Sequence, residues 1–452
     1  MPTPLYDALR KYADREPVRY HMPGHKGRPF PPADLKWLAP IDVTELPETG
    51  NLYEAGEPFD SAQALWAELF GFDQCQFLTG GSTMGVHTGL ALCCRPGGKI
   101  LMDRGCHRSA FNALALLDLE PVWLERSWLS SENLPGPISP ENVERALEQD
   151  PEIKTVCITT PTYAGVLSNV GVISRIVHRH GGTLFVDGAH GAHLPFLGLE
   201  PFWGADAVVV SAHKTLPAMG QSALLFASGF DPDLTRRTAS IFGTSSPSYP
   251  IMASLDVVRD WMVNWGAEKY QRVAVRTARL RQKFPSLSDR PYRGFSLDPT
   301  RFVLKVKNGP AFVQALRQHG YIPEMEDGGH VVFICAAQDS AGDFDRLERV
   351  LEELRGQMGD CPPVPAPPIP KRVISPRQAL FAFSRTRSLE DCEGEIAACQ
   401  IAPYPPGVPV LAPGEQISKK ELAYLRRIGY NMQTVVRVIS EGSYGAFSVD
   451  RK

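Results

Sequence analysis

The side chains able to do chemistry in this sequence stand at the ends of apolar runs. Lys214 follows the run Ala207–Val210 after Ser211, Ala212 and His213. Such a run reads as a strand buried on both faces of a parallel sheet. Lys214 then falls at the strand's carboxyl end, where open α/β sheets bind their ligands. Pro217 and Gly220 come next, so a loop rather than a helix is expected there. A partly desolvated Lys is a ready Schiff-base nucleophile toward a carbonyl cofactor, although a strand-end Lys that simply reaches solvent is the plainer reading. Asp187 ends a second apolar run, 182–187, and precedes Lys214 by 27 residues. That is one strand–loop–strand step, so both groups can project from one sheet edge. An amine and a carboxylate so placed suit pyridoxal phosphate (PLP). The Lys holds the aldehyde, and the Asp keeps the ring nitrogen protonated so that the ring can accept electrons. Helix capping or a loop ion pair is the other common use of such an Asp.

Three further loops bear on this. TGGSTMG at 79–85 joins a strand at 76–78 to a helix at 86–92. The free N–H groups and positive end of a helix start attract phosphate, and Gly81, Ser82 and Thr83 sit where they could cradle one. The loop is neither a Walker loop nor GxGxxG, and plain helix capping would use the same residues. His107 lies in the loop after a strand at 99–102, where a flat imidazole could stack on a cofactor ring; a structural His is the default for any single one. HMPGHKG at 21–27 contains His25. Pro23 and Gly24 break the backbone between the two His, which argues against a zinc pair, and the loop suits either an active-site rim or plain surface. The signal is the convergence of the Ser82 loop, His107, Asp187 and Lys214 on strand ends.

The elements that must position these groups alternate. A helix is expected at 3–15, a turn-rich acidic stretch at 42–60 and a helix at 61–70. Strand–helix units then continue to about residue 226, including a strand at 154–160 and a helix at 172–180. This pattern predicts a doubly wound, mostly parallel sheet. A long amphipathic helix at 255–274, an α+β region at 296–357, a Pro-rich linker at 361–370 and a tail with a helix over Lys419–Arg427 follow. The expected division is 1–30 (helix and arm), 31–265 (large domain), 266–372 (small α+β domain) and 373–452 (C-terminal domain). The chain has 452 residues and a net charge of −3, which gives no reason to expect nucleic acid or an anionic membrane as partner. No apolar run approaches the ~18 residues of a membrane span. The first residues lack the apolar core of a signal peptide. The nine Cys show no metal spacing, so reduced thiols of a cytoplasmic protein without a metal site are expected.

Several motifs, in order along nearly the whole chain, resemble the Orn/Lys/Arg decarboxylases, in their shorter bacterial form without an N-terminal wing domain. They are PGHKG at 23–27, DGAHGAH at 187–193, SAHKTLP at 211–217, SPSYP at 246–250, PYPPGVP at 403–409 and PGE at 413–415. The resemblance implies the aspartate-aminotransferase fold (fold type I), with a mostly parallel sheet of the seven-stranded type, a smaller α+β domain and a C-terminal domain. It implies Lys214 as the Schiff-base Lys, Asp187 as the pyridinium partner, His107 on the ring and His190 beside it. It places Gly81, Ser82, Thr83, Ser211 and His213 at the phosphate. Ser245 and Ser246 would reach the phosphate of a neighbouring subunit in a homodimer with shared sites. Two departures stand out: Gly188 where the family usually has Glu, and Cys399 where an acidic residue often stands.

The reaction implied is decarboxylation of arginine, lysine or ornithine to agmatine or a diamine, within polyamine metabolism, with arginine slightly favoured by the resemblance. Lys214 or a nearby His would return the proton to Cα. A desolvated cationic substrate tail needs a carboxylate. Glu415 is the first candidate, Glu54 or Glu57 the second, and His25 would also face the substrate. Two alternatives stay open. One is another fold type I reaction, although the sequence assigns no Arg to a substrate carboxylate as an aminotransferase needs. The other is a decarboxylase-like regulator acting by protein contact.

Overall fold

The computed structural model describes residues 18–20, 44–45, 49–288, 295–360, 362–403 and 407–440. The expected helix at 3–15, the loop carrying His25 and residues 404–406 of the second proline motif lie outside the described residues.

Seven strands form the central sheet: β1 (Gln74–Leu78), β2 (Lys99–Asp103), β3 (Glu120–Leu124), β4 (Thr155–Thr159), β5 (Thr183–Asp187), β6 (Ala207–Val210) and β7 (Ala223–Ala227). Their spatial order is β1-β7-β6-β5-β4-β2-β3. β6, β5, β4, β2 and β3 run parallel to one another, and β7 is antiparallel to both of its neighbours. The apolar runs are unbroken because both faces are covered. Val208 and Val210 enter one core with Leu184 and Val186, while Ala207 and Val209 enter the other with Phe185. Each fully buried Val is worth about 1.5–3 kcal/mol, so this double burial holds the strand ends firmly.

Three local differences from the sequence reading bear on the site. The helix after β1 is α1 (Gly81–Cys93) and starts five residues earlier than expected, so Ser82 and Thr83 belong to its first turn. It lies close on the sheet: a Cβ on Gly85 would come 2.3 Å from Val209 and one on Gly89 would come 2.1 Å from Phe185. In place of the loop expected around Lys214 there is a one-turn helix, Ala212–Thr215, closed by Leu216 N–H donating to the Ala212 carbonyl. The long helix is continuous from Tyr249 to Lys283, as Tyr249–Trp261, a π-turn at Met262–Gly266 and Ala267–Lys283. It begins before residue 255 because Pro250 occupies the first turn, where a missing N–H costs nothing.

The small α+β unit has a three-stranded antiparallel sheet, β8 (Arg301–Lys305), β9 (Met325–Glu326) and β10 (His330–Ile334), ordered β8-β10-β9. The helices Gly309–Gln318 and Ala341–Glu353 pack on it through Phe312, Leu316, Phe344 and Leu347. Strand Val18–Tyr20 joins the same unit, paired parallel to Tyr321–Pro323, with Tyr20 in its core. The C-terminal unit is built on the Ser384–Ser388 and Val435–Ile439 ribbon and the helix Lys419–Arg427, with its own apolar cluster. Among the described residues no helix is long and apolar enough to cross a membrane.

Candidate active site

β5 and β6 are parallel neighbours with Asp187 opposite Val209, so the last residue of one and the turn after the other share the carboxyl edge of the sheet. Asp187 is buried and accepts from the Ala189 N–H at 3.2 Å. Burial pushes its carboxyl up, and the Lys214 ammonium opposes that rise. Burial pushes Lys214 down, with Asp187 and then Glu324 pulling it back up. Each group therefore lies within the other's field. The Lys214 turn is braced from the long helix, whose buried Tyr270 hydroxyl donates to the Thr215 carbonyl.

His190, on the loop after β5, places Nε2 3.2 Å from Lys214 Nζ. Burial, then the charge of Lys214, holds it well below the usual His range, so its ring is neutral. Its Nδ1 is buried without a hydrogen-bond partner. Tyr163, on the loop after β4, tilts against the His190 ring at 4.6 Å and donates through its hydroxyl to Glu324. His107 caps α2 (Arg108–Leu116), its Nδ1 accepting from the Ser109 N–H. Burial first and the Lys214 charge second push it down to about 4, so this ring too is uncharged.

At the other end of the site Ser211 donates to Ser82 at 3.3 Å, which joins the turn after β6 to the first turn of α1. Gly81 and Ser82 are half-buried there, and Thr83 is exposed beside them. His213 is oriented by Nδ1 on the Ser222 carbonyl at 3.0 Å. These groups, with a helix start behind them, have the chemistry of a phosphate cradle. The donor set thus fits PLP: hydroxyls and helix N–H groups at one end, a buried carboxyl and a half-buried amine at the other, and the orphaned Nδ1 of His190 close by.

Other expected residues lie elsewhere. Ser245 and Ser246 are exposed on the chain surface, with the Ser246 N–H donating to Thr244. Glu54 and Glu57 are also exposed, accepting from Asn51 and Ser61. Glu415, expected at a substrate cation, is 1% exposed and paired with Arg104 at 3.0 Å, while also accepting from the Ala412 N–H. Arg104 further donates to the Pro409 and Val410 carbonyls. Glu415 therefore ties the C-terminal unit to the loop that carries His107 through Oε2, with Oε1 buried and without a hydrogen-bond partner. Burial outweighs Arg104 and pushes Glu415 up to about 7.

Three residues escaped the sequence reading: Glu324, the role of Tyr163, and Arg301. Arg301 opens β8 and is 1% exposed, and its charge bears on both Lys214 and His190. Glu324 and Arg301 come from the small unit, more than a hundred residues beyond the β4 loop they meet, and no local pattern marks them.

Comparison with known proteins agrees with this geometry. The family model for the Orn/Lys/Arg decarboxylase major domain matches residues 3–300, and the model for the C-terminal domain of the same family matches 366–434. The chain is 32% identical over 469 residues to YaaO of Bacillus subtilis (strain 168), covering 97% of this chain and 96% of that one. It is 29% identical over 454 residues to arginine decarboxylase of the same organism, covering 94% and 93%. In three dimensions it matches the constitutive lysine decarboxylase of E. coli with a TM-score of 0.74 at 20% identity, over 88% of this chain and 75% of that one. The expected fold, a fold type I large domain with a mostly parallel sheet, is the one observed. The chain belongs to the Orn/Lys/Arg decarboxylases, PLP-dependent enzymes that release CO2 from basic amino acids.

Proposed function

We propose that this chain decarboxylates a basic L-α-amino acid at the sheet edge that carries Lys214 and Asp187, and that arginine is the first substrate to test. The observation that carries the reading is that a buried carboxyl and a half-buried amine lie within each other's field on adjacent strand ends. Pyridoxal phosphate supplies an aldehyde that takes up an amine and a cationic ring that accepts the electron pair left when CO2 departs. Lys214 would hold the aldehyde, and its lowered pKa leaves more neutral amine to do so. Asp187 would hold the ring nitrogen protonated. Neutral His107 would present its face to the ring. Ser82, Thr83, Ser211, His213 and the start of α1 would hold the phosphate. Lys214 stands 3.2 Å from His190 and can carry the proton returned to Cα, with the His as relay.

Arginine is favoured by the coverage of the arginine decarboxylase relative, which spans both chains almost completely. The exposed Ser245 and Ser246 suit contact with a second copy, in a cytoplasmic homodimer with shared sites. The product, agmatine or a diamine, would feed polyamine synthesis. The test is an amine-product assay on arginine, lysine and ornithine with added PLP. Amine from one of the three supports the reading, and no amine or CO2 from any of them overturns it.

A further inference from the structure

Asp103 ends β2 and is 0% exposed. Its Oδ1 accepts the Gly105 N–H at 2.8 Å and Arg126 Nε at 3.3 Å. Its Oδ2 accepts Arg126 Nη2 and, at 3.2 Å, the Thr159 N–H. Arg126 comes from the loop after β3, and its side chain is 7% exposed. Its Nη1 donates to the Gly136 carbonyl at 2.9 Å, and Nη2 donates also to the Thr159 carbonyl. A buried ion pair is costly unless its remaining hydrogen-bonding capacity is used, and here backbone groups use it. The pair is therefore turned toward the chain around it rather than toward a ligand.

What the pair holds is the turn that leads to His107. The Asp103 carbonyl accepts the Cys106 N–H at 3.1 Å, so side chain and backbone of one residue close the turn together. Gly105 alone would leave that turn permissive. A Cβ there would come 3.1 Å from both Asp103 Oδ1 and Arg126 Nε, so the turn lies directly on the pair. His107 follows and caps α2. The same carboxylate also reaches the next strand. The β2–β4 pairing runs from Ile100 to Met102, opposite Thr155 to Cys157, and Oδ2 on the Thr159 N–H carries it further. Thr159 stands opposite Asp187 on β5, and the Thr160 N–H donates to the Asp187 carbonyl at 3.1 Å. Asp103 is thus bonded both to the turn before His107 and to the residue abreast of Asp187, although β2 and β5 are not neighbours.

We infer that Asp103, clamped by Arg126, is a positioning residue that fixes the His107 ring relative to Asp187, and with it the space that receives the cofactor ring. This rests on the function proposed above and adds to it the group that sets the distance between two of its parts. A flat ring contributes through its separation and tilt, and a shift of about 1 Å can cost about a hundredfold in rate. Asp103 acts through His107 and touches neither substrate nor cofactor. Its loss should therefore appear in turnover more than in substrate binding.

The test compares PLP-loaded wild type, Asp103→Asn, His107→Ala and the double variant, at a temperature where all four are folded. The amide of Asp103→Asn keeps one acceptor oxygen but turns an N–H toward Arg126 or Thr159. Two quantities are read: the visible circular dichroism of the bound cofactor, which senses the asymmetry of its surroundings without substrate, and kcat with KM. Asp103→Asn should change the visible band and lower kcat by about tenfold or more, with KM within about twofold. In the His107→Ala background the same change should alter either reading by less than about twofold, because the group it acts through is gone. A lower Tm with an unchanged band and kcat would reduce Asp103 to a structural ion-pair partner and overturn the inference. Equal losses with and without His107 would also overturn it. Should Asp103→Asn not fold, Arg126→Lys keeps the opposite charge but lacks the fork that also holds Gly136 and Thr159, and is read by the same outcomes. Wild type that decarboxylates none of the three amino acids would overturn the functional reading, while the visible band still decides whether Asp103 sets His107.

Discussion

Lys214 Nζ lies 3.2 Å from His190 Nε2, and the opposite ring nitrogen of His190 is buried without a partner. The two cannot both carry a proton charge in that space, and burial with the lysine's field settles the His as neutral. Lys214 is then the amine that reacts. Lys214→Ala mixed with PLP should show no absorbance in the imine band and release no CO2. Decarboxylation retained by this variant would remove Lys214 from the chemistry.

The Asp187 carboxylate is the strongest charge holding Lys214 up against burial. Asp187→Asn removes that support. The pH at which the Lys214–cofactor absorbance titrates should therefore move lower. Loss of the fixed negative charge at the ring nitrogen should also cut kcat by about a hundredfold or more. An unmoved midpoint with an unchanged rate would mean that Asp187 faces something other than the ring.

Glu415 provides a pH test of the join between the C-terminal unit and the His107 loop. Its folded pKa is about 7, against the ordinary 4.5. Between those values the folded chain holds more protons on this group than the unfolded chain does, so stability from Glu415 falls as pH rises. The contribution is complete below about pH 4.5 and lost above pH 7, to a limit of about 3 kcal/mol. Glu415→Gln lacks this titration. Wild type minus variant Tm should therefore be larger at pH 5 than at pH 8, whatever the offset from leaving Arg104 unpaired. A difference flat across that range would place the titration elsewhere.

The parts of the site that the sequence displays are those on one strand–loop segment each. Lys214, Asp187 and His107 follow apolar runs, and register between parallel neighbours brings such ends together without further information. The phosphate loop was legible as a glycine turn before a helix, though its length was not, because a Gly-rich start hides the first turn of α1. Arg301, Glu324 and the use of Tyr163 were invisible, since each depends on how the small unit seats on the β4 loop. The pairing of Glu415 was hidden for a related reason. A Glu in the PGE motif carries no sign of the buried Arg104, 311 residues away, that pairs with it.

The departure at Gly188 also has a local cause that can be tested. A Cβ there would come 2.6 and 2.7 Å from the Phe202 ring and 3.2 Å from the Val209 carbonyl. Phe202 is 3% exposed in the core cluster beneath the sheet, so the ring fills the space that a side chain at 188 would use. Gly188→Ala should cost about 1–3 kcal/mol of stability, as overpacking does. Phe202→Leu, which shortens the ring, should cost a comparable amount alone through the cavity it leaves. The double variant should be more stable than the sum of the two losses allows, because each change relieves the other. Denaturant unfolding of the four proteins measures that coupling. Losses that simply add would show that Gly188 and Phe202 do not share the space between them.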